Sequence, residues 1–304
     1  MKQRRSIPAR IAVDWKVDGV RAWALDSAGG VLMKVRSAQG LAAIGAEAFG
    51  TVLVNLVRPW LVQERTPVLV SGLAAYRYAR GQAALEPVPA RLCDLAPQQL
   101  QDIDPRMTVH ALPGLCQTAP CAVIDGEETL ARGVLAQEPE FDGVLCIPGA
   151  ETRWLRLRAG CIERIQCHTT GELVDLLAAA PERDAAGEQD LRKADAFRAA
   201  LMQTLDSPAD LPLHLSSLRA ESLLDGAACD RLDRLCGHLI GSDLAAARHF
   251  WDGGRVLLVG HGALVEKYQG ALAALAGALS RADADSLLLA GFAQAFRGLT
   301  PTPA

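Results

Sequence analysis

The sequence has 304 residues, half of them apolar and 22% charged, with a formal net charge of −4 and a pI near 5.9. That balance fits a folded chain with a generous core and excludes a disordered one. It offers no general attraction to phosphate backbones, so nucleic acid is not an expected partner. The length suits two domains sharing a cleft. Lys2, Arg4, Arg5 and Arg10 precede no apolar run of signal-peptide length. Charged residues also interrupt every window before the roughly 18–20 apolar residues that a bilayer span requires. The expectation is a cytoplasmic protein with no membrane partner. Eight cysteines, at 93, 116, 121, 146, 161, 167, 229 and 236, include no C-x-x-C pair and read as reduced thiols, mostly in the core.

Taken in chain order, residues 11–15, 20–25 and 31–35 predict three short strands, joined by turns at Val17-Asp18-Gly19 and Asp26-Ser27-Ala28-Gly29-Gly30. Residues 40–61 follow as a helical region. Between Pro87 and Pro120 the prolines predict irregular structure, with 90–100 helical. A second meander is predicted at 143–147, 153–157 and 161–167, with turns at 148–151 and 158–160. Helices are then expected at 171–180, 190–205, 211–218, 227–250 and 262–279, with a strand at 255–259 between the last two. The alanine-rich stretch 271–279 packs either in the core or at the interface of a homodimer. A meander followed by helices and strands, occurring twice, points to a duplicated α/β domain.

Several strings recur in a telling order: Ile11-Ala12-Val13-Asp14-Trp15 with Arg21-Ala22-Trp23, then Pro87-Val88-Pro89-Ala90, Pro113-Gly114-Leu115 and Gly126-Glu127-Glu128-Thr129. Pro148-Gly149 with Trp154, Thr170-Gly171-Glu172-Leu173, Leu239-Ile240-Gly241 and Val259-Gly260 with Tyr268 complete the series. Together they resemble the 2-dehydro-3-deoxygalactonokinase family, a branch of the actin-like sugar kinase fold, over about residues 11–295. The resemblance implies an α/β protein of two duplicated actin-like (ribonuclease H-like) domains, 1–125 and 126–304, around a cleft. It also implies transfer of the γ-phosphoryl group of ATP, with Mg, to the terminal hydroxyl of 2-dehydro-3-deoxygalactonate or a related keto-deoxy sugar acid.

On that basis Asp14, at the end of the first strand, is a catalytic acid and Mg ligand, or an ordinary turn cap. Glu127 and Glu128 orient a hydroxyl or hold metal, or else form a solvated helix N-terminus. Thr129 and Arg21 are expected to contact substrate, Arg21 through the sugar-acid carboxylate unless it is a surface charge. Lys16, Gly149, Arg153, Gly260 and Gly262 are expected at the nucleotide. Thr170-Gly171-Glu172 reads as a helix cap or a ligand contact. His168 and His238 have no metal-ligand spacing.

The phosphate-facing turns depart from the family pattern. Lys16-Val17-Asp18 stands where the family has Gly-Thr-Thr, and Gly149-Ala150-Glu151-Thr152-Arg153 where it has G-T-H-x-K. Each turn gains an acid, Asp18 or Glu151, expected to repel phosphate. Ser71-Gly72-Leu73-Ala74-Ala75-Tyr76-Arg77-Tyr78 stands where the family has A-G-M-x-G-S-x-x-G-W and lacks its Gly-Ser pair. A catalytically inactive family member, binding a sugar acid, a nucleotide or a protein partner, is therefore the alternative.

Overall fold

The computed structural model describes residues 7–45, 48–61, 65–72, 85–101, 103–178, 189–224 and 230–299. The expected departure at 73–78 and parts of the helices expected at 171–180 and 227–250 lie outside them. Contacts divide the chain into two compact units. The first comprises Met1–Phe141, Leu157–Ile165 and Ala284–Ala304, and the second Asp142–Arg156 and Gln166–Asp283.

The first unit opens with β1 (Arg10–Trp15), β2 (Val20–Leu25) and β3 (Val31–Ser37), an antiparallel meander as predicted. Helix α1 (Phe49–Val57) and a 3-10 turn (Arg58–Trp60) follow, then β4 (Thr66–Ser71), β5 (Glu86–Pro87) and β6 (Ala90–Arg91). A 3-10 turn (Leu92–Asp94), β7 (Gln98–Gln99), β8 (Met107–Ala111), β9 (Leu115–Thr118), β10 (Cys121–Ile124) and helix α2 (Glu127–Gln137) complete this stretch. The main sheet has the order β3-β2-β1-β4-β8-β7, with β4 parallel to both β1 and β8. Being central, β1 is buried from Ile11 to Trp15, and Trp15 stacks on Phe49 of α1 at 4.7 Å.

Two expectations are corrected here. Among the described residues of 40–61, the α-helix begins only at Phe49. Residues 90–100 form no α-helix: Ala90 and Arg91 pair with Ile162 and Cys161, and Pro97 removes a backbone donor from the middle of the segment. The proline-rich stretch instead contains β8, whose alternating burial of Met107, Val109 and Ala111 is the signature of a half-buried strand.

The second meander is β11 (Gly143–Ile147), β12 (Thr152–Arg158) and β13 (Cys161–His168). The tip of the β12–β13 hairpin counts with the first unit, where β6 pairs to it. Then come α3 (Thr170–Leu177), α4 (Gln189–Asp206), α5 (Leu211–Leu224), α6 (Arg231–Ala246), α7 (Arg248–Trp251), β14 (Arg255–Val259), α8 (Ala263–Leu275) and β15 (Ala278–Ala282). The helix expected over 262–279 thus ends at Leu275, and the rest of that stretch leads into a strand. Ala271 and Leu272 are buried in a core with Val144, Cys146, Trp154, Ile240, Leu258 and Tyr268. The order β13-β12-β11-β14-β15 repeats β3-β2-β1-β4-β8, and β14 runs parallel to β11 and β15. The duplication predicted from the sequence pattern is present in the topology of each half.

Helix α9 (Ala284–Arg297) belongs to the first unit and packs along α2. Two glycines make this possible: a Cβ on Gly133 would overlap the backbone of Leu287, and one on Gly291 would overlap the carbonyl of Thr129. The helices therefore touch backbone to backbone around the start of α2. Among the described residues no helix is long and apolar enough to cross a membrane.

Candidate functional site

In parallel α/β sheets, ligand-contacting residues gather beyond the carboxyl ends of the strands. In the first unit, Asp14, the penultimate residue of β1, lies directly beside Ser71 at the end of β4. The start of α2 meets them: a Cβ on Gly126, whose φ is +118°, would stand 3.7 Å from Ser71 Oγ and 3.8 Å from Asp14 Oδ1. Asp14 is 1% exposed. Its Oδ2 accepts from Nε of Arg21 at 3.1 Å and from Nη2 of the same residue, whereas its buried Oδ1 has no hydrogen-bond partner. The third guanidinium nitrogen of Arg21 donates to Asp285. All three nitrogens of the residue expected to meet a sugar-acid carboxylate are thus engaged within the protein.

The paired acids do not form a solvated helix N-terminus. Glu127 is 5% exposed and Glu128 fully buried. Oε2 of Glu128 accepts from the Gly126 N–H at 2.7 Å, and its Oε1 accepts from the Thr129 hydroxyl at 3.0 Å and from that of Ser71 at 3.3 Å. Ser71 and Thr129 also bond to each other at 2.8 Å. Oε2 of Glu127 accepts from the Asp125 N–H at 3.1 Å. Burial, and next the charge of Glu127, push the Glu128 carboxyl up to about 7, against the lowering effect of the Gly126 N–H and the Thr129 hydroxyl. Asp14, Arg21, Glu127, Glu128 and Thr129 are thereby brought together. Ser71 and Asp285 complete the cluster.

Lys16 lies on the turn after β1 and is half-buried, while Val17 and Asp18 at its tip are exposed. The turn is closed from behind by the segment after β3. The N–H groups of Leu41 and Ala42 donate to the carbonyls of Lys16 and Val17 at 3.1 and 2.9 Å, and a side chain on Gly40 would overlap the backbone of Val17–Gly19. The second unit repeats the device. A Cβ on Gly171 would overlap the Gly149 carbonyl, and the Glu172 N–H donates to Ala150 at 2.8 Å. Thr169, not Thr170, sits at the N-cap of α3.

Thr170 instead joins a buried cluster around Asp243. Oδ1 of Asp243 accepts from Trp154 Nε1 at 2.8 Å and faces His168 Nδ1 at 2.6 Å. Its Oδ2 accepts from the hydroxyls of Thr170, at 2.6 Å, and Tyr268. Tyr268 also bonds Thr152 at 3.0 Å, and burial, with the Asp243 charge next, holds its phenol well above the usual range. Five elements, β12, β13, α3, α6 and α8, are pinned on one carboxylate. His168 therefore has an acid partner that its sequence neighbours do not reveal.

Arg153 pairs with Glu151 at 3.0 Å and donates to its carbonyl at 3.2 Å. The acid gained by this turn is thereby neutralised locally. Gly260 and Gly262 have φ of +118° and +105°, which glycine adopts without strain, and Gly262 is the N-cap of α8. Because β11 and β14 run parallel with Cys146 opposite Leu258, Gly149 and Gly260 lie beyond the same end of neighbouring strands. Among the described residues no cluster of three or more His, Cys, Asp or Glu has metal-binding geometry.

The 2-keto-3-deoxy-galactonokinase family model matches residues 14–295. A Rhizobium meliloti (strain 1021) protein named as a 2-dehydro-3-deoxygalactonokinase is 32% identical over 95% of this chain and 97% of its own. The 2-dehydro-3-deoxygalactonokinase of Escherichia coli (strain K12) is 28% identical over 92% and 95%. A Sinorhizobium meliloti crystal structure carrying the same family name superposes with a TM-score of 0.83 at 31% identity, covering 97% of this chain and 98% of that one. A carbohydrate kinase from Novosphingobium aromaticivorans shares the fold alone, at a TM-score of 0.51 and 14% identity over 94% and 93%. The fold is that of the actin-like sugar kinases, and the chain belongs to the 2-keto-3-deoxy-galactonokinase family.

Proposed function

We propose that this chain is a sugar-acid kinase that transfers the γ-phosphoryl group of MgATP to the terminal hydroxyl of 2-dehydro-3-deoxygalactonate or a related keto-deoxy sugar acid. The observation that carries this reading is the meeting of Asp14, with one buried and unpartnered oxygen, and Glu128, a buried carboxyl titrating near 7. Magnesium takes oxygen ligands, and Oδ1 of Asp14 is a hard anionic donor with none of its own partners to lose, so the residues fit the ion. When bound, MgATP supplies the phosphoryl group and a cation that neutralises charge developing on it.

The protein's own part is positioning and proton handling. Asp14 would hold the cation through Oδ1. Glu128, ionised in part at neutral pH, takes up the proton of the acceptor hydroxyl, and Ser71 and Thr129 orient that hydroxyl. Glu127 acts through its charge, which helps to set the affinity of Glu128 for a proton. In the second unit Gly260 and Gly262 admit close approach of a nucleotide to the start of α8, with Gly149 beyond the same strand ends and Arg153 near the start of β12 to serve phosphates; in the first, Lys16 is a cation suited to phosphate on the turn after β1. Arg21 acts on Asp14 rather than on the substrate.

A second reading, a family member that binds its ligand without phosphoryl transfer, is favoured by the turn after β1, where Val17 is 53% exposed and Asp18 adds an anion at the tip. Titration calorimetry with MgATP and a coupled assay of ADP release with the keto-deoxy sugar acid separate the two. Turnover that depends on the sugar acid supports the kinase. No heat of binding at millimolar MgATP removes the kinase reading.

A further inference from the structure

One arginine joins two carboxylates that stand 271 positions apart in the chain, at 14 and 285. Arg21 lies opposite Asp14 in the β1–β2 register, so its guanidinium reaches Oδ2 with the Nε–Nη2 edge. Its remaining nitrogen, Nη1, donates to Oδ1 of Asp285 in the first turn of α9. The other oxygen of Asp285 accepts from Lys34 Nζ on β3, with Arg36 Nη2 at 3.8 Å. Trp23 lies beneath both cations, 5.3 Å from each, and packs on Phe292 of α9 with 6.4 Å between ring centroids. Asp285 is carried on a helix that Gly133 and Gly291 seat against α2, so its place is fixed relative to Glu128 as well. Burial raises the affinity of Asp285 for a proton, but the Lys34 hydrogen bond and the charges of Arg21, Lys34 and Arg36 outweigh it and keep the group ionised.

A guanidinium is planar, so anchoring one nitrogen sets the direction of the other two. With Nη1 on Asp285, the opposite edge meets Oδ2 of Asp14 and leaves Oδ1 without a partner. Without that anchor the guanidinium is free to turn and to cover Oδ1. We infer that Asp285 is a positioning residue for Asp14: by holding Arg21 through Nη1 it confines the arginine to Oδ2 and presents Oδ1 to a divalent cation. This rests on the reading of Asp14 as the cation's ligand.

The test is a titration of the full chain with Mn²⁺, followed by electron paramagnetic resonance, beside the coupled assay. Residues that orient a metal ligand typically cost about 10–100-fold in metal affinity when removed. Asp285→Asn is expected to weaken Mn²⁺ binding about 10-fold and to raise the Mg²⁺ needed for half-maximal turnover, with KM for the sugar acid unchanged. Asp285→Glu is expected to recover part of the loss. If Asp14→Asn abolishes Mn²⁺ binding while a folded Asp285→Asn binds as wild type, the positioning role is overturned and that of Asp14 stands. If wild type and Asp14→Asn bind Mn²⁺ alike, the reading of Asp14 fails and the inference falls with it. Should Asp285→Asn lose its circular dichroism signal, Lys34→Gln, which loosens only the outer oxygen of Asp285, replaces it. A smaller loss of Mn²⁺ affinity then supports the inference, and none overturns it.

Discussion

In the first unit the turn after β1 is closed by Gly40, just past the end of β3, and in the second the turn after β11 is closed by Gly171, just past the end of β13. The backbone solution is shared, but the buried acids are treated differently. Asp243 has both oxygens committed to side chains from four other elements, so it works as a permanent anchor. Glu128 is more deeply buried, stands beside a second glutamate and holds its proton up to about neutral pH. Asp14, near it, keeps one oxygen unmatched. A duplicated scaffold has thus placed a fully committed, anchoring carboxylate in one half and, in the other, a carboxylate with one oxygen unmatched near a glutamate that keeps its proton. Full satisfaction confers stability, and incomplete satisfaction leaves capacity for chemistry.

Asp243→Ala tests that contrast most severely. It strands the Trp154, Thr170 and Tyr268 donors in the core and removes the acid beside His168, and the expected cost is about 3–5 kcal/mol in urea unfolding. A loss below about 1 kcal/mol would mean that the cluster does not anchor the second unit. Glu128→Gln is expected to lower kcat at least 100-fold, on the order of what a positioned proton acceptor contributes. It also carries a pH signature. The folded state binds this proton more tightly than the unfolded chain does. The contribution of Glu128 to stability is therefore complete below about 4.5 and is lost as pH rises to about 7. Between those values the wild type should lose stability relative to Glu128→Gln, and a constant difference across pH 4–8 would refute the raised proton affinity.

Gly171→Ala and Gly40→Ala compare the two closures directly. Each new methyl group meets backbone, so each variant is expected to lose about 1–3 kcal/mol. Only Gly40→Ala should also weaken cation binding at Asp14, since that turn directly follows β1, and equal effects of the two on Mn²⁺ affinity would count against the contrast. The smallest effect is expected for Glu151→Gln. Its partner Arg153 is half-buried and the pair is partly exposed, so stability should change by less than about 1 kcal/mol in thermal unfolding. MgATP affinity should rise a few-fold in calorimetry as the acid beside Arg153 is neutralised. A fall would mean that Glu151 itself assists the nucleotide.

The strands of both meanders were legible because apolar runs are short, turn residues punctuate them and the period is local. The same is true of Asp14, Gly260 and Gly262, which stand at strand ends that the pattern defines. What escaped were features decided by distant pairing. The stretch 90–100 has leucines at helical spacing, but two of its residues are drafted into pairing with β13 and Pro97 interrupts the rest. Glu127 and Glu128 look like solvent-facing charges, and only the approach of α9 and the ends of β1 and β4 puts them inside. Asp243 and His168 each lack a nearby partner in sequence, as do Arg21 and Asp285. Ser71 carried a weak signal, a small polar residue followed by glycine after an apolar strand. Asp285 carried none.

The seating of α9 on α2 also sets an order of events during synthesis. Residues 127–137 leave the ribosome before the whole of the second unit, and 284–297 after it. Until then the groove offered by Gly133 and the Thr129 carbonyl has no occupant from its own chain. The second unit can collapse while the first still waits for its last piece, so the acids at the start of α2 acquire their final surroundings late. A nascent chain would on this view gain its core in one half well before it gains a finished site in the other.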